Sequence, residues 1–231
     1  MEILYKDKNV IAICKEAGIP SQPDPTGQVD AMTLCSGILK EQGETNTELF
    51  LVHRLDRPTG GVMVFAKSSK AASRLSEQLR DGDFEKRYFS VLVGTPKEEK
   101  ATLCNYIKKN TVNNMVYICT QTEANAKYAE LDYKVLDEKN GLTLTEVRLH
   151  TGRSHQIRVQ MNNIGCPVYG DMRYGGEKAK KGYLSLWAYY LSFSHPVSKE
   201  RLVFRVEPPK EVSPWDLFDT SSAIKIIKPA Y

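Results

Sequence analysis

The segment His53-Arg54-Leu55-Asp56-Arg57-Pro58-Thr59-Gly60-Gly61 constrains this chain most, because it interrupts two apolar runs with charge and then with a sharp turn. Glu48-Leu49-Phe50-Leu51-Val52 before it and Val62-Met63-Val64-Phe65-Ala66 after it read as short β-favouring runs. The charged segment is therefore expected as a loop between two buried strands, a setting in which rigid flanks position reactive groups. Asp56 stands between the guanidiniums of Arg54 and Arg57, and a neighbouring opposite charge favours the ionised carboxylate. An ionised Asp acts as nucleophile or base. An Asp beside Pro and Gly also serves to satisfy backbone amides at a turn, and the loop taken alone leaves both uses open.

A chain of 231 residues with 41% hydrophobic content can build its own core. No internal repeat, low-complexity tract or break in composition marks a boundary, so residues 1–231 are expected as one domain. The net charge of +4, from 32 Lys+Arg against 28 Asp+Glu, is compatible with nucleic acid without demanding it. Cys14, Cys35, Cys104, Cys119 and Cys166 form no C-x-x-C pair and no ligand cluster with the four histidines, which points to neither a metal site nor a disulfide framework. Reduced thiols fit a cytoplasmic protein. The opening Met1-Glu2-Ile3-Leu4-Tyr5-Lys6 is no signal peptide, and no apolar run approaches the ~18 residues of a spanning helix, so neither secretion nor membrane insertion is expected.

Two short strands are expected around Ile3–Tyr5 and Val10–Cys14, followed by an irregular loop from Gly18 through Gly27. Asp30 caps a helix over Ala31–Gln42, and Ser69 a second over Lys70–Arg80 that Gly82 ends. The chain then turns β-rich, with strands at Lys86–Val93, Ala101–Ile107, Val116–Thr120, Ala126–Val135 and Leu142–Leu149. Turn signals such as Lys139-Asn140-Gly141 between them imply mostly antiparallel pairing. A third helix over His155–Ile164, capped by Ser154, carries an Ile157, Met161, Ile164 stripe. Strands at Leu184–Ser194 and Arg201–Val206 follow a basic loop from Gly175 to Gly182, and the tail is weakly helical near Trp215–Phe218. The whole reads as α+β, with a large mixed, mostly antiparallel sheet flanked by helices and loops.

Two further segments stand out. Glu85-Lys86-Arg87-Tyr88-Phe89 sets a basic pair before a Tyr entering a strand, although Tyr in a strand is usually packing. Thr151-Gly152-Arg153-Ser154-His155-Gln156-Ile157-Arg158 places Arg153, His155 and Arg158 around the first turn of a helix, whose N-terminus favours anions. In this order the three segments resemble the signatures of the RluA-type pseudouridine synthases. Ile3-Leu4-Tyr5-Lys6-Asp7, Lys15-Glu16-Ala17-Gly18, Gly165-Cys166-Pro167-Val168-Tyr169-Gly170-Asp171 and Leu191-Ser192-Phe193-Ser194-His195-Pro196 extend the resemblance over most of the chain. Family members commonly carry Ser at Gly60, Pro at Glu16 and His at Trp187, and none of these departures removes a catalytic residue type.

The resemblance implies an enzyme, an isomerase that converts selected uridines of ribosomal or transfer RNA to pseudouridine without a cofactor. Asp56 would be its essential carboxylate, with sugar attack, base addition and sugar-proton abstraction all open as its role. Arg158 would pair with that carboxylate, a role Lys fills poorly, and Tyr88 would stack on the target base. Arg54 would contact or replace the flipped uridine, Ile157 would wall the pocket, and His53, Arg57, Arg153 and His155 would hold the loop or contact substrate. The family often carries an N-terminal S4-type RNA-binding domain, and with the catalytic opening already at Ile3 none is expected here. RNA affinity would then come from basic residues such as Lys67, Lys70, Arg74, Lys86, Arg87, Arg153, Lys178, Lys180 and Lys181. A monomer acting on structured RNA, with no membrane partner, is expected. Two rival readings are a non-catalytic RNA-binding factor on the same fold and a two-carboxylate glycoside hydrolase. The hydrolase would need a second acid near Asp56, for which only Asp171 offers itself.

Overall fold

The computed structural model describes residues 1–25 and 27–226, and so Thr26, part of the expected Gly18–Gly27 loop, lies outside the described residues. The elements run β1 (Glu2–Lys6), β2 (Val10–Lys15), α1 (Ala31–Glu41), β3 (Phe50–Leu51), β4 (Gly60–Ala66), α2 (Ser69–Asp81), β5 (Glu85–Val93), β6 (Lys100–Lys109), β7 (Val116–Cys119) and β8 (Lys127–Lys139). They continue with β9 (Leu142–Leu149), α3 (Gln156–Asn163), β10 (Leu186–Ser194), β11 (Arg201–Arg205) and α4 (Thr220–Ile226), with short 3₁₀ turns at Gly176–Ala179 and Trp215–Leu217. The chain is thus α+β, with eleven strands and four α-helices among the described residues. They form two compact units, one of Met1–Lys86 with Ala188–Val206 and one of Arg87–Trp187 with the chain from Glu207 onward.

In the first unit the strand order is β1-β2-β4-β10, with β3 also on β4 and β11 on β10. The pairs β1–β2, β2–β4, β3–β4 and β10–β11 are antiparallel. All seven residues of β4 are buried, as an unbroken apolar run demands. Val62, Val64 and Ala66 meet Val10, Leu191 and Phe193 in one core, which Ala71 and Leu75 of α2 and Phe84 complete. Asp30 caps α1 by accepting from the amides of Met32 and Thr33 at 3.0 and 3.1 Å. Helix α2 starts one residue earlier than the sequence suggests. Ser68 is its cap, with Oγ 3.2 Å from the Ala71 amide, because Ser68 keeps the extended backbone that aims its hydroxyl at the first turn.

In the second unit the order is β5-β9-β8-β6-β7. Strands β9, β8, β6 and β7 pair antiparallel in succession. Strand β8 outruns its expected length to reach Lys139, because Asn140 and Gly141 both adopt positive φ, as a tight hairpin turn into β9 requires. Val159 of α3 packs with Ile107, Val116 and Ala129 against this sheet. The expected Ser154 cap is not what begins α3. His155 occupies the cap position in the left-handed conformation, φ 51°, and makes no side-chain cap bond. The short helix α4 has no counterpart in the sequence reading.

Gly61, second in β4, stands opposite Lys15 with φ 115°, and a Cβ there would lie 2.2 Å from the Ala188 carbonyl oxygen. Only glycine lets the two backbones approach so closely. Gly61→Ala is expected to lower unfolding free energy by about 3 kcal/mol through overpacking and backbone strain, measured by denaturant titration. An unchanged midpoint would show that the strands part without cost.

Candidate active site

His53, Arg54, Asp56 and Arg57 lie on the loop that enters β4, as the sequence suggests. The loop is clamped to the 15–21 segment on both sides of Asp56. Before it, the Ser21 hydroxyl donates to the Leu55 carbonyl at 2.8 Å and accepts from the Leu55 amide at 3.1 Å. After it, the Gly18 amide donates to the Arg57 carbonyl at 2.8 Å while Arg57 Nε donates to the Gly18 carbonyl at 3.1 Å. The Thr59 amide closes a turn onto the Asp56 carbonyl at 2.9 Å. These bonds on either side fix the backbone of Asp56, and its half-buried side chain is presented from a rigid support.

Below the loop lies a cation that the sequence reading did not single out. Lys15 is fully buried, and its ammonium donates to the carbonyls of Ile19, Glu16 and Arg57 at 2.7, 3.0 and 3.3 Å. Burial drives its pKa down to about 8, and the Asp56 carboxylate is the largest influence holding it up. Arg57 spends Nε on Gly18, so the buried charge whose field reaches Asp56 from this segment is an ammonium. A lone Lys ending the apolar strand Val10–Lys15 was the available signal.

His53 serves the loop internally. Its Nε2 accepts the Val64 amide at 3.2 Å and its ring meets Phe84 edge-on at 5.3 Å. Burial, aided by the Lys86 ammonium, lowers its pKa to about 3, so it is neutral at physiological pH. Arg54 is exposed.

The second unit carries Tyr88 on β5, Arg153 and His155 ahead of α3, and Ile157 and Arg158 within it. Tyr88 and Ile157 are 6% and 4% exposed, as members of an apolar pocket wall would be. Helix α3 buries six consecutive residues, Gln156 to Met161, so its polar members must find partners inside. Gln156 accepts from the Thr151 hydroxyl at 2.8 Å and the Arg153 amide at 3.0 Å, and donates to the Glu130 carbonyl at 3.0 Å. This side chain ties the Thr-Gly-Arg turn ahead of the helix to β8. Arg153 itself donates Nε to the Tyr128 carbonyl at 2.9 Å.

Arg158 forms a two-pronged pair with Asp171, Nε to Oδ2 at 2.8 Å and Nη2 to Oδ1 at 2.7 Å, both groups buried. Its guanidinium also lies 5.0 Å from the centre of the Tyr174 ring. The Tyr174 hydroxyl accepts the Val116 amide at 3.0 Å and lies 2.6 Å from His155 Nδ1. Gly170, φ 78°, brings the chain so close to the Tyr183 carbonyl that a Cβ would sit 2.2 Å from it, and so sets Asp171 in register. Asp171 is therefore a buried orienting partner for Arg158, which removes the one candidate for a second hydrolytic acid. Asp171 and Tyr174 were legible only as neighbours in sequence, since nothing in their spacing pairs them with α3.

Some cations expected on an RNA surface are committed internally. Lys67 pairs with Glu44, Arg74 donates to the Pro196 carbonyl at 2.8 Å, and Arg87 pairs with Glu146 at 3.0 Å. Among the described residues no helix is long and apolar enough to cross a membrane.

Two outcomes check this account. Asp171→Ala strips Arg158 of two buried charge-assisted bonds and is expected to destabilise by about 3 kcal/mol in denaturant titration, whereas a merely exposed pair would change little. For His53 the folded pKa of about 3 lies below the ordinary 6.5, so its contribution is complete above pH 6.5 and is lost as pH falls from 6.5 towards 3. His53→Gln is expected to flatten the fall in stability across that window, and a wild-type profile that matches the variant's would contradict a buried neutral ring.

The match to a family model describing RNA pseudouridylate synthase covers residues 9–163. The chain is 33% identical to the RNA pseudouridine synthase YjbO of Bacillus subtilis, over 92% of this chain and 74% of that one. It is 29% identical to the ribosomal large subunit pseudouridine synthase D of Zymomonas mobilis, over 92% and 70% respectively. Among solved structures, human RNA pseudouridylate synthase domain containing 4 shares the fold with a TM-score of 0.75 at 24% identity, covering 90% of this chain and 89% of that one. With the Asp56 loop, the Tyr88 strand and the Thr151 to Arg158 turn in family order, the chain belongs to the RluA-type RNA pseudouridine synthases, isomerases that need no cofactor.

Proposed function

We propose that the protein isomerises specific uridines of ribosomal or transfer RNA, with Asp56 as the essential carboxylate and Tyr88 and Arg158 completing the catalytic set. The observation that carries this reading is the double clamp on Asp56, through Ser21 on Leu55 and Gly18 and Lys15 on Arg57, which holds one carboxylate in a fixed pose. Rigid presentation of a charged group is what electrostatic catalysis requires. The bond from ribose C1′ to uracil N1 breaks, the base turns, and C1′ joins C5. The C5 proton leaves and N1 gains one, so the reaction balances with no external reductant, oxidant or acceptor.

Tyr88 offers the base a stacking face worth about 1–3 kcal/mol. Arg158, its fork set by Asp171, supplies fixed positive charge. Arg54, exposed on the loop, contacts the flipped nucleotide, whose extrusion costs a few kcal/mol. Ile157 lines the pocket, His53 and Arg57 hold the loop, and Arg153 and His155 meet the RNA. The relative from Zymomonas mobilis is named for the large ribosomal subunit, which supports ribosomal RNA as the first substrate to test. We further read residues 1–231 as one catalytic domain that acts as a cytoplasmic monomer, checked by light scattering for a single-chain mass.

Mapping pseudouridine by carbodiimide labelling and sequencing, in cells with the wild-type protein, without it, and with Asp56→Asn, tests the proposal. A site present with wild type and lost in both other strains is the expected result, with purified Asp56→Asn below about a thousandth of wild-type activity on that RNA. Retention of the site by Asp56→Asn would remove the carboxylate from the chemistry and favour a non-catalytic RNA-binding role.

A further inference from the structure

The sheet of the second unit has two unlike faces. One packs against α3 through Ile107, Ala129 and Val159. Side chains alternate along a strand, so Lys100, Thr102 and Cys104 of β6 and Tyr128, Glu130, Asp132 and Lys134 of β8 occupy the other. By the same alternation Arg87 of β5 points away from the face that Tyr88 serves. On this second face lies a concave region of about 530 Å³ lined by Arg87, Lys100, Lys134 and Arg148 together with Asp132 and Glu146.

Arg87 is already paired there, Arg148 stands opposite Asp132 and Lys134 opposite Glu146 in the β8–β9 register, and both carboxylates are engaged. Glu146 holds Arg87 at 3.0 Å, and Asp132 accepts from the Thr102 hydroxyl at 2.7 Å and lies 2.6 Å from His150 Nε2. Lys100 and Lys134 stand directly opposite each other in the β6–β8 register, both exposed, and among the described residues neither makes an ion pair. Like charges directly opposite on a sheet destabilise it, and a bridging anion reverses the sign of that interaction. Six residue pairs further along the same strands, Tyr106 and Tyr128 form an edge-on pair with ring centres 5.7 Å apart, Tyr128 being 39% exposed. The Tyr128 carbonyl is the acceptor that holds Arg153. Two exposed ammoniums facing each other beside a concave region can hold a phosphodiester between them.

We propose that this face of the second unit, centred on Lys100 and Lys134, is a docking surface for the phosphodiester backbone of the substrate RNA, separate from the uridine pocket. The proposal rests on the RNA-modifying reading above. It adds a specificity surface that takes a flanking strand and leaves the chemistry at the target base unchanged.

Fluorescence anisotropy with a labelled oligouridine, titrated across a range of chloride concentrations, tests it on the full chain. Lys100→Glu with Lys134→Glu is compared with wild type and with a control of equal charge change, Lys8→Glu with Lys40→Glu, after thermal melts establish that all three are folded. The expected result is about tenfold weaker binding for the Lys100/Lys134 variant alone, with its log–log salt slope shallower by about 1.4, since each lost phosphate contact on a single strand removes about 0.7. Neutral Lys100→Ser with Lys134→Ser should fall between the two, which keeps the test valid if charge reversal harms folding. Equal binding by all variants, or equal weakening in the control, overturns the proposal. So does displacement of oligouridine by inorganic phosphate beyond the effect of chloride at the same ionic strength, because the site would then prefer a free anion to a strand. Pseudouridine formation by the wild type on cellular RNA is assayed in parallel. Activity with no binding difference sinks the surface alone, whereas a binding difference with no pseudouridine sinks the catalytic reading alone.

Discussion

The ammonium of Lys15, buried beneath the Asp56 loop and bonded to three backbone carbonyls, is the interaction that fixes the Asp56 loop in the first unit. Burying a charge is costly unless every donor is satisfied, and a Lys offers three. The carbonyls of Glu16, Ile19 and Arg57 meet that demand only when the 15–19 segment and the Asp56 loop lie together, so the charge itself dictates their relative position. Its pKa of about 8 leaves the group largely protonated at neutral pH, and the Asp56 carboxylate contributes to keeping it so. Gly61, opposite Lys15 in the β2–β4 register, lets the strand beyond the loop reach Ala188 without a side chain in the way.

A comparable economy holds in the second unit. Helix α3 has no outward face over its first two turns, and its three polar residues there are each bound to a neighbouring strand or turn. Gln156 ties the Thr151–Arg153 turn to β8, Gln160 donates to the Leu103 carbonyl at 3.0 Å and to Asn105 Oδ1 at 2.8 Å, and Arg158 is held by Asp171. A buried, fully oriented guanidinium loses little entropy when it acts, which is how Arg differs from Lys at such a position. The same bonds hold the turn that precedes the left-handed His155 at the start of α3.

For a reaction in which the leaving base is also the incoming nucleophile, the protein has no cofactor to position. The clamped loop, the Arg158–Asp171 pair and the buried Tyr88 each hold a group in a fixed pose, as the proposed chemistry would require. Cations already paired within the fold are less available to RNA. Arg74 and Lys67 are spent inside the first unit, while Lys100 and Lys134, which no motif marks, stand exposed on the second.

Local chemistry determined much of what is seen. The apolar runs made β2 and β4, Asp30 made the start of α1, Asn140-Gly141 made the β8–β9 hairpin, and the charged segment with Pro58 and two glycines made the Asp56 loop. The order of motifs also pointed to the family. Tertiary structure alone decided which partners the charges take. Lys15 finds the Arg57 carbonyl 42 residues away, Arg158 finds Asp171, and Lys100 faces Lys134 across a strand pair. It also put His155 rather than Ser154 at the start of α3 and gave His53 the Val64 amide as a partner. The reason is physical. Periodicity and turn propensity act over a few residues and can be read in order, whereas desolvation acts on whatever the fold encloses, and a buried charge is satisfied by the nearest donor or acceptor in space, however distant in sequence.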